Sequence, residues 1–273
     1  MSRETKIQFL GIGAQKAGTS WLFQNLRRHP EVWLPFLKEL HYFDDLYLGT
    51  PFRADALRLG STRLIERMSN RPDRAKKLGA YIERAFDESI IGTDEWYHHM
   101  FSAAPRHKKA GEITPMYMSV GEMGVEHIKR LAPDAKIICL IRDPLDRAIS
   151  SLRMQMENPK KQGTGPHLLI DDAIFRERGN YREHIPIWDK TFGDRMFYAP
   201  FGHIKSDPIG VLRQVEELIG VQPFDYPDPS QPVHVSKKVD LAPEIVADLA
   251  REAEPQRSYL RERFGEGFLI ATR

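Results

Sequence analysis

The sequence predicts a single α/β domain, residues 1–273, in which a central parallel sheet is flanked by helices. Short apolar runs alternate with helix-length segments along the whole chain, without internal repeats, low-complexity tracts or a linker. The run at 135–141 is apolar at six of its seven positions. An uninterrupted apolar run of this length is typical of a central parallel strand that is covered on both faces.

The remaining elements follow from apolar content, capping residues and breakers. Apolar runs that end at glycine or at polar residues predict the strands 7–12, 108–113, 135–141 and 195–199. Helical spacing between caps and breakers predicts helices at 19–28, 124–131, 144–157, 168–178, 180–191, 208–219 and 241–264. Residues 31–52 read as a loop with short strand pieces. Segment 53–104 holds three helical stretches and is interpreted as a helical insertion within the domain.

The overall composition excludes several classes of protein. Forty Lys and Arg residues against 38 Asp and Glu give a formal charge of +2, which provides no electrostatic argument for binding nucleic acid or an anionic membrane. The single cysteine, Cys139, excludes an internal disulfide and cysteine-based metal sites, and its apolar strand predicts an inert core residue.

The longest apolar runs are too short for a signal-peptide core or a membrane span, which needs ~20 residues. We therefore expect a cytoplasmic protein without stable membrane insertion. The oligomeric state is not predicted.

The segment 13–20 joins the first predicted strand to the first predicted helix through glycines. This arrangement presents backbone N–H groups to phosphate. Gly13 and Gly18 have the spacing of a nucleoside triphosphatase loop, but Thr19 stands where that loop needs lysine, and Lys16 lies two residues before Gly18. A lysine at this position can reach the bridging oxygen of a 5′-phosphate group. The alternative is an ordinary strand–turn–helix junction.

A second cluster follows the strand 135–141. Arg142 lies at the carboxyl end of that strand, where open α/β sheets bind ligands. Arg147 and Ser150 lie three positions apart on the predicted helix, so they share a face. A guanidinium and a hydroxyl there can hold a second phosphate, whereas the alternative is a solvated helix surface.

A third cluster lies at 38–44. Alternation in an extended segment places Glu39 and His41 on one side, and Asp44 follows in the turn. A carboxylate beside a histidine, within reach of Lys16, can remove a proton from a hydroxyl while the lysine stabilises a leaving phosphate. The alternative is a polar loop without a catalytic role.

These segments resemble a known family. Lys-x-Gly-Thr-Ser-Trp-Leu at 16–22 and Arg-x-Pro-x-x-Arg-x-x-Ser at 142–150 are similar to the two nucleotide signatures of sulfotransferases that use 3′-phosphoadenosine 5′-phosphosulfate (PAPS). The resemblance implies a P-loop-like sulfotransferase fold, PAPS as co-substrate, adenosine 3′,5′-bisphosphate as product and no metal.

The resemblance also assigns the donor site. The implied 5′-phosphosulfate ligands are Lys16, Ala17, Gly18, Thr19 and Ser20. Arg142 and Ser150 would hold the 3′-phosphate. Trp21 matches a position at which cytosolic members stack adenine, with core packing as the alternative. Lys237 and Lys238 match a basic loop over the 3′-phosphate, or they form a solvated turn.

The acceptor side resembles heparan-type members, which carry Glu-x-His-Phe-Phe-Asp. The match implies Glu39 as general base, with His41 as the alternative base and with His41 and Asp44 contacting the acceptor. Tyr117 either lines the acceptor pocket or packs in the core. Ile113 stands where many heparan-type members have lysine, which weakens the expectation of a strongly anionic polysaccharide acceptor.

The sequence therefore predicts transfer of a sulfuryl group to a hydroxyl of a glycan, a lipid-linked sugar or a small metabolite. One alternative is a P-loop kinase or nucleoside triphosphatase. Thr19 argues against it, and so does Arg142, because it follows the strand at a point where an acidic metal-binding residue is needed. The other alternative is a catalytically inactive nucleotide-binding protein.

Overall fold

The computed structural model describes residues 7–57, 72–157, 165–233 and 239–273. Within them, five parallel strands form one sheet in the order β2-β3-β1-β4-β5. The strands are β1 Ile7–Gly13, β2 Val32–Trp33, β3 Lys109–Ile113, β4 Lys136–Ile141 and β5 Met196–Pro200. The predicted α/β class with a central parallel sheet is confirmed.

Strand β4 is central, as its apolar run predicts. It lies between β1 and β5, and its residues 137–141 have no exposed surface. Cys139 is among them, and burial raises the pKa of its thiol well above the usual range, so it belongs to the core. Gly11 pairs with Ile113 and Gly13 with Cys139, which brings the carboxyl ends of three strands to one edge of the sheet.

Helices cover both faces of the sheet. Their bounds are Thr19–Leu26, Tyr42–Leu48, Pro72–Ala85, Asp94–His99, Gly121–Leu131, Pro144–Met156, Pro166–Ile170, Ala173–Glu177, Tyr181–Phe192, Phe201–Ser206, Pro208–Ile219, Pro243–Phe264 and Glu266–Ala271. Residues 52–57 are also helical. Residues 58–71 of the expected insertion lie outside the described residues, and the single-domain division stays a prediction.

Three short helices were absent from the prediction: Tyr42–Leu48, Phe201–Ser206 and Glu266–Ala271. Helices of six or seven residues are unstable alone, so their formation depends on tertiary packing that local patterns do not encode. The first of them matters for function because it begins directly after His41.

Asp143 fixes the chain where β4 passes into the helix Pro144–Met156. Its carboxylate accepts hydrogen bonds from the backbone N–H groups of Leu145 and Asp146, as its predicted capping role requires. It also accepts two bonds from the Arg257 guanidinium, at 2.8 and 2.9 Å. This fully buried carboxylate thus anchors the residue next to Arg142 from two directions.

Among the described residues, no helix is both long and apolar enough to cross a membrane.

Candidate active site

The loop between β1 and the helix Thr19–Leu26 forms an anion cradle. Gly18 precedes the helix with a φ of +94°, and a Cβ at this position would lie 2.6 Å from the Ile204 side chain, so glycine is required here. No side chain caps the helix within the described part of the chain. Its first-turn N–H groups therefore remain available to a ligand, and the positive end of the helix dipole favours an anion.

Two cations border this cradle. The Nη1 of Arg142 donates to the Lys16 carbonyl oxygen at 3.0 Å, and the guanidinium lies 4.7 Å from the centre of the Phe201 ring. The Nε of Arg142 is buried and has no hydrogen-bond partner among the described residues. Burial and the neighbouring Arg142 charge lower the pKa of the Lys16 ammonium. Two neighbouring cations, one of which lowers the pKa of the other, favour an anionic ligand at this place.

Arg147 and Ser150 do not share an exposed face. Arg147 is 3% exposed, and its guanidinium lies against Gly179, where an added Cβ would be 2.5 Å from Nη2. Ser150 is partly exposed. Because Arg147 is buried, Arg142 is the arginine that lies at the carboxyl end of β4. The glycine that accommodates Arg147 is 32 residues away in the chain, so no local sequence pattern predicts this packing.

The other residues predicted to bind the sulfuryl donor differ in how far their side chains are exposed. Ala17 is fully buried and Thr19 is 6% exposed, so the backbone of these residues, more than their side chains, faces the cradle. Trp21 is 4% exposed and donates its indole N–H to the Pro229 carbonyl at 2.6 Å, which supports the core-packing alternative. Ser20 is partly exposed. Lys237 and Lys238 lie outside the described residues.

Glu39, His41 and Asp44 form a contiguous cluster, although the segment is not extended. Glu39 and His41 both have left-handed backbone conformations, with φ of 63° and 52°, because the chain turns there into the helix Tyr42–Leu48. The imidazole lies between two carboxylates: Nδ1 is 2.8 Å from Oδ2 of Asp44, and Nε2 is 3.3 Å from Oε2 of Glu39. The predicted proximity of Glu39 to His41 holds, but a turn produces it and not strand alternation.

The charges of this cluster are mutually stabilised. Burial alone would lower the pKa of His41, but hydrogen bonds to Asp44 and Glu39 outweigh it and raise the pKa to about 9. Burial alone would raise the pKa of Glu39, but the His41 hydrogen bond and the contacting Lys38 ammonium bring it to about 2. At neutral pH the imidazole is therefore protonated and cannot accept a proton, whereas the Glu39 carboxylate can.

The titration of His41 should report this arrangement directly. We expect the His41 ring resonance in ¹H–¹³C NMR spectra to titrate near pH 9, and Glu39→Gln to lower that pKa because one of the two stabilising charges is lost. Because the folded-state pKa of His41 lies above the usual 6.5 and that of Glu39 below the usual 4.5, the ion pairs contribute stability that is complete between about pH 4.5 and 6.5. It is lost as the pH rises through about 9 and as the pH falls through about 2. A His41 resonance that titrates near 6.5 in the unmodified protein would contradict the cluster.

A buried network behind the cluster was missed by sequence reasoning. The Glu112 carboxyl accepts hydrogen bonds from the hydroxyls of Thr114 and Tyr117, at 2.7 and 2.9 Å, and burial raises its pKa to about 7. Thr114 Oγ1 accepts from the backbone N–H of Leu40 at 3.0 Å, and the Tyr117 hydroxyl accepts from that of Tyr42 at 3.1 Å. The network therefore holds the backbone on both sides of His41.

Tyr117 is fully buried, so the structure supports the packing alternative over a place in the acceptor pocket. We expect Tyr117→Phe to destabilise the protein by about 1–3 kcal/mol, since a buried carboxyl and a buried N–H lose a partner. We also expect a lower turnover because the Glu39–His41 turn loses its support.

Tyr198→Phe is the matched control for that variant. The Tyr198 hydroxyl also bonds a carboxylate, Asp189 at 2.8 Å, but on the helix Tyr181–Phe192. Thermal unfolding and initial rates of the folded fraction should show both variants destabilised and only Tyr117→Phe slowed. Equal rates for the two variants would show that the network has no influence on the site.

The anion cradle and the carboxylate cluster meet at the edge of the sheet. The Thr114 N–H donates to the Gly11 carbonyl at 2.9 Å, which ties the end of β3 to β1. A Cβ on Gly13 would lie 3.2 Å from the Met118 side chain, so the base of the cradle packs on the turn Pro115–Ser119. Among the described residues, no group of three or more His, Cys, Asp or Glu has the arrangement of a metal site.

A profile described as "Sulfotransferase family" matches residues 9–226, a span that contains both clusters and the whole sheet except the first two residues of β1. The chain belongs to the sulfotransferase family. This confirms the family to which the nucleotide signatures and the Glu-x-His motif pointed.

Named relatives agree with the family assignment. Heparan sulfate glucosamine 3-O-sulfotransferase 6 of Mus musculus is 26% identical over 227 residues, which cover 79% of this chain and 52% of that protein. Heparan sulfate glucosamine 3-O-sulfotransferase 3B1 of Homo sapiens is 26% identical over 176 residues, which cover 60% of this chain and 44% of the relative. The chain thus spans about half the length of these relatives.

Solved structures support the fold. A sulfotransferase from Alicyclobacillus acidocaldarius superposes with a TM-score of 0.67 at 20% identity, covering 94% of this chain and 95% of that one. The sulfotransferase domain of the Synechococcus PCC 7002 olefin synthase gives a TM-score of 0.57 at 20% identity, covering 94% and 96%. The P-loop-like sulfotransferase fold expected from the signatures is therefore confirmed.

Proposed function

We propose that this protein transfers the sulfuryl group of PAPS to a hydroxyl of a glycan, a lipid-linked sugar or a small metabolite. One observation supports this above the others: a cationic anion cradle follows β1, and the segment of the ionised carboxylate–imidazolium cluster is hydrogen-bonded to Thr114 at the carboxyl end of the neighbouring parallel strand β3. A donor phosphosulfate and an acceptor hydroxyl can meet between them.

The donor is held mainly by backbone N–H groups and two cations. The 5′-phosphosulfate binds the segment of Lys16, Ala17, Gly18, Thr19 and Ser20 at the uncapped helix start. Arg142, with a guanidinium N–H that has no partner among the described residues, binds the 3′-phosphate together with Ser150. Trp21 packs in the core behind this site, and the resemblance to PAPS-dependent sulfotransferases adds Lys237 and Lys238, which lie outside the described residues, as ligands of the 3′-phosphate.

The chemistry is an in-line substitution at sulfur. The acceptor oxygen forms a bond to sulfur while the bond from sulfur to the bridging 5′-phosphate oxygen breaks, which leaves adenosine 3′,5′-bisphosphate. The Lys16 ammonium neutralises the charge that develops on that departing oxygen. Charge stabilisation of this kind needs no reorganisation, because the loop already holds Lys16 beside Arg142.

Glu39 takes the acceptor proton. Its pKa of about 2 makes it a weak base, but the hydroxyl proton becomes strongly acidic as the oxygen bonds to sulfur, so transfer to a carboxylate is favourable late in the step. His41 stays protonated and orients Glu39, while Asp44 anchors the other ring nitrogen. Asp44 itself is fixed by the Thr50 hydroxyl at 2.7 Å.

An acceptor screen tests this proposal. The protein is incubated with ³⁴S-labelled PAPS and a panel of glycans, lipid-linked sugars and hydroxylated metabolites, and the products are read by mass spectrometry. We expect an acceptor that gains one labelled sulfuryl group, with adenosine 3′,5′-bisphosphate formed in equal amount. Phosphorylation of an acceptor from ATP with magnesium, without sulfuryl transfer, would overturn the proposal in favour of a kinase.

A further inference from the structure

Arg178 lies on the acceptor side of the site and takes no part in the mechanism above. It follows the helix Ala173–Glu177 and precedes Gly179, so it approaches from an element that contributes nothing to the donor cradle. Its Nε lies 3.2 Å from Sδ of Met116, on the turn that carries Tyr117. Its guanidinium lies 5.2 Å from the centre of the Phe52 ring.

The Phe52 ring connects Arg178 to the cluster. The same ring lies 5.3 Å from the His41 imidazole. The guanidinium and the imidazole therefore both pack on one aromatic ring, and the Glu39 and Asp44 charges act on Arg178 without forming an ion pair within 4.0 Å.

Arg178 has no direct ion pair within the described part of the chain, although the Asp172, Glu39 and Asp44 charges attract it from a distance. Its only hydrogen bond there is the weak one to the Met116 sulfur, and no carboxylate pairs with it. Burial and the nearby Arg147 charge together lower its pKa to about 10. The two terminal nitrogens of this half-buried guanidinium donate no hydrogen bond within the described part of the chain. Such a group can bind a carboxylate or a sulfate.

The other charges of the cluster do not cancel this surplus. Lys38 and His41 match Glu39 and Asp44 one for one. Arg178 and the neighbouring Arg147 then face one further carboxylate, Asp172, which leaves the acceptor side with a net positive charge. Ile113, at the end of β3, contributes none, since it is an apolar residue 1% exposed.

We propose that Arg178 is a specificity-determining residue that binds an anionic group of the acceptor, a carboxylate or a sulfate close to the hydroxyl that is modified. The inference rests on the proposed sulfotransferase function, because it takes the Glu39–His41 cluster as the place where the acceptor reacts. The presence of Ile113 in place of a lysine weakened the expectation of an anionic acceptor. Arg178, in the segment before Gly179, supplies the positive charge that Ile113 does not.

Two acceptor probes that differ only in one carboxylate test this assignment. 4-Nitrophenyl glucuronide and 4-nitrophenyl glucoside are titrated against the protein loaded with adenosine 3′,5′-bisphosphate, with binding read by ligand-observed NMR. We expect the glucuronide to bind at least about tenfold more tightly than the glucoside. Arg178→Ala should abolish that difference, and Arg178→Lys should restore part of it.

Arg176→Ala is the matched control. Arg176 lies two residues earlier, is exposed, and pairs with Asp171 and Glu252 on the surface. This variant should keep the preference for the glucuronide. Affinity for adenosine 3′,5′-bisphosphate should be the same for all variants, since no contact joins Arg178 to the cradle among the described residues. Because Arg178 packs on the buried Met116, thermal unfolding is measured first, and the probes are compared at a temperature at which every variant is folded.

The outcomes separate the two proposals. Equal binding of both probes to the unmodified protein, no glucuronide binding, or a preference that survives Arg178→Ala would each overturn the role of Arg178 while leaving the proposed reaction intact. Failure of adenosine 3′,5′-bisphosphate to bind would instead overturn the proposed function.

Discussion

Replacement of Lys16 by alanine is expected to weaken adenosine 3′,5′-bisphosphate binding by about tenfold or more and to lower kcat/KM by about 10²–10³-fold. Both effects follow from the proposed role of Lys16, whose ammonium would neutralise the bound 5′-phosphate and, more strongly, the charge that develops when the sulfur–oxygen bond breaks. Calorimetry and initial rates with PAPS measure the two effects separately.

The apo protein should not lose stability in this variant. Burial and the Arg142 charge lower the pKa of Lys16, which means that the free protein holds the ammonium at a cost. The unfolding temperature of Lys16→Ala should therefore stay the same or rise. Lys190→Ala is the control, because Lys190 is 75% exposed and pairs with Glu122 at 3.2 Å on the surface. Unchanged affinity and unchanged rate in Lys16→Ala would refute the phosphate-loop assignment.

Replacement of Glu39 by glutamine is expected to lower kcat by about 10²–10⁴-fold while the affinity for adenosine 3′,5′-bisphosphate stays within about twofold. The amide keeps the size and polarity of the side chain but cannot accept the acceptor proton. Donor binding survives because the cradle lies on the loop after β1, whereas Glu39 pairs with Lys38 and His41 on a separate segment.

Glu122→Gln is the matched control for the loss of one carboxylate. Glu122 is 66% exposed and lies on the helix Gly121–Leu131. It should have full activity. If Glu39→Gln also keeps full activity, the proton is accepted elsewhere, and His41 becomes the candidate, in its neutral form above pH 9. The pH–rate profile of the variant would then rise through the His41 pKa, which lies below 9 in this variant because the Glu39 charge is lost.

The sequence was sufficient to predict the parts of the site that depend on local spacing. Lys16 and Gly18 are positioned by the strand and helix on either side of them, and Arg142 by the end of β4 and the Asp143 cap, so the spacing predicted their shared edge of the sheet. The proximity of Glu39 to His41 was also predictable, although the left-handed turn that produces it was not.

The rest depends on contacts between distant segments. Glu112 acts on the Glu39–His41 turn across 72 residues of chain, through its hydrogen bond with the Leu40 N–H. Arg147 is buried where Gly179, which has no side chain, leaves space for its guanidinium. Arg178 lies near the Glu39–His41 cluster because its guanidinium packs on the Phe52 ring. No periodicity or motif in one sequence encodes these pairs, because they form only when separate helices pack on the same sheet edge.

The most direct test of the account is the nucleotide preference of the unmodified protein, measured by isothermal titration calorimetry without magnesium. In the proposed site, Lys16 and the uncapped helix bind the 5′-phosphate and Arg142 binds the 3′-phosphate. Adenosine 3′,5′-bisphosphate should therefore bind at least about 100-fold more tightly than adenosine 5′-phosphate, the difference expected from a charge-assisted 3′-phosphate contact. Tighter binding of ATP with magnesium than of adenosine 3′,5′-bisphosphate would contradict the assignment of this site to PAPS.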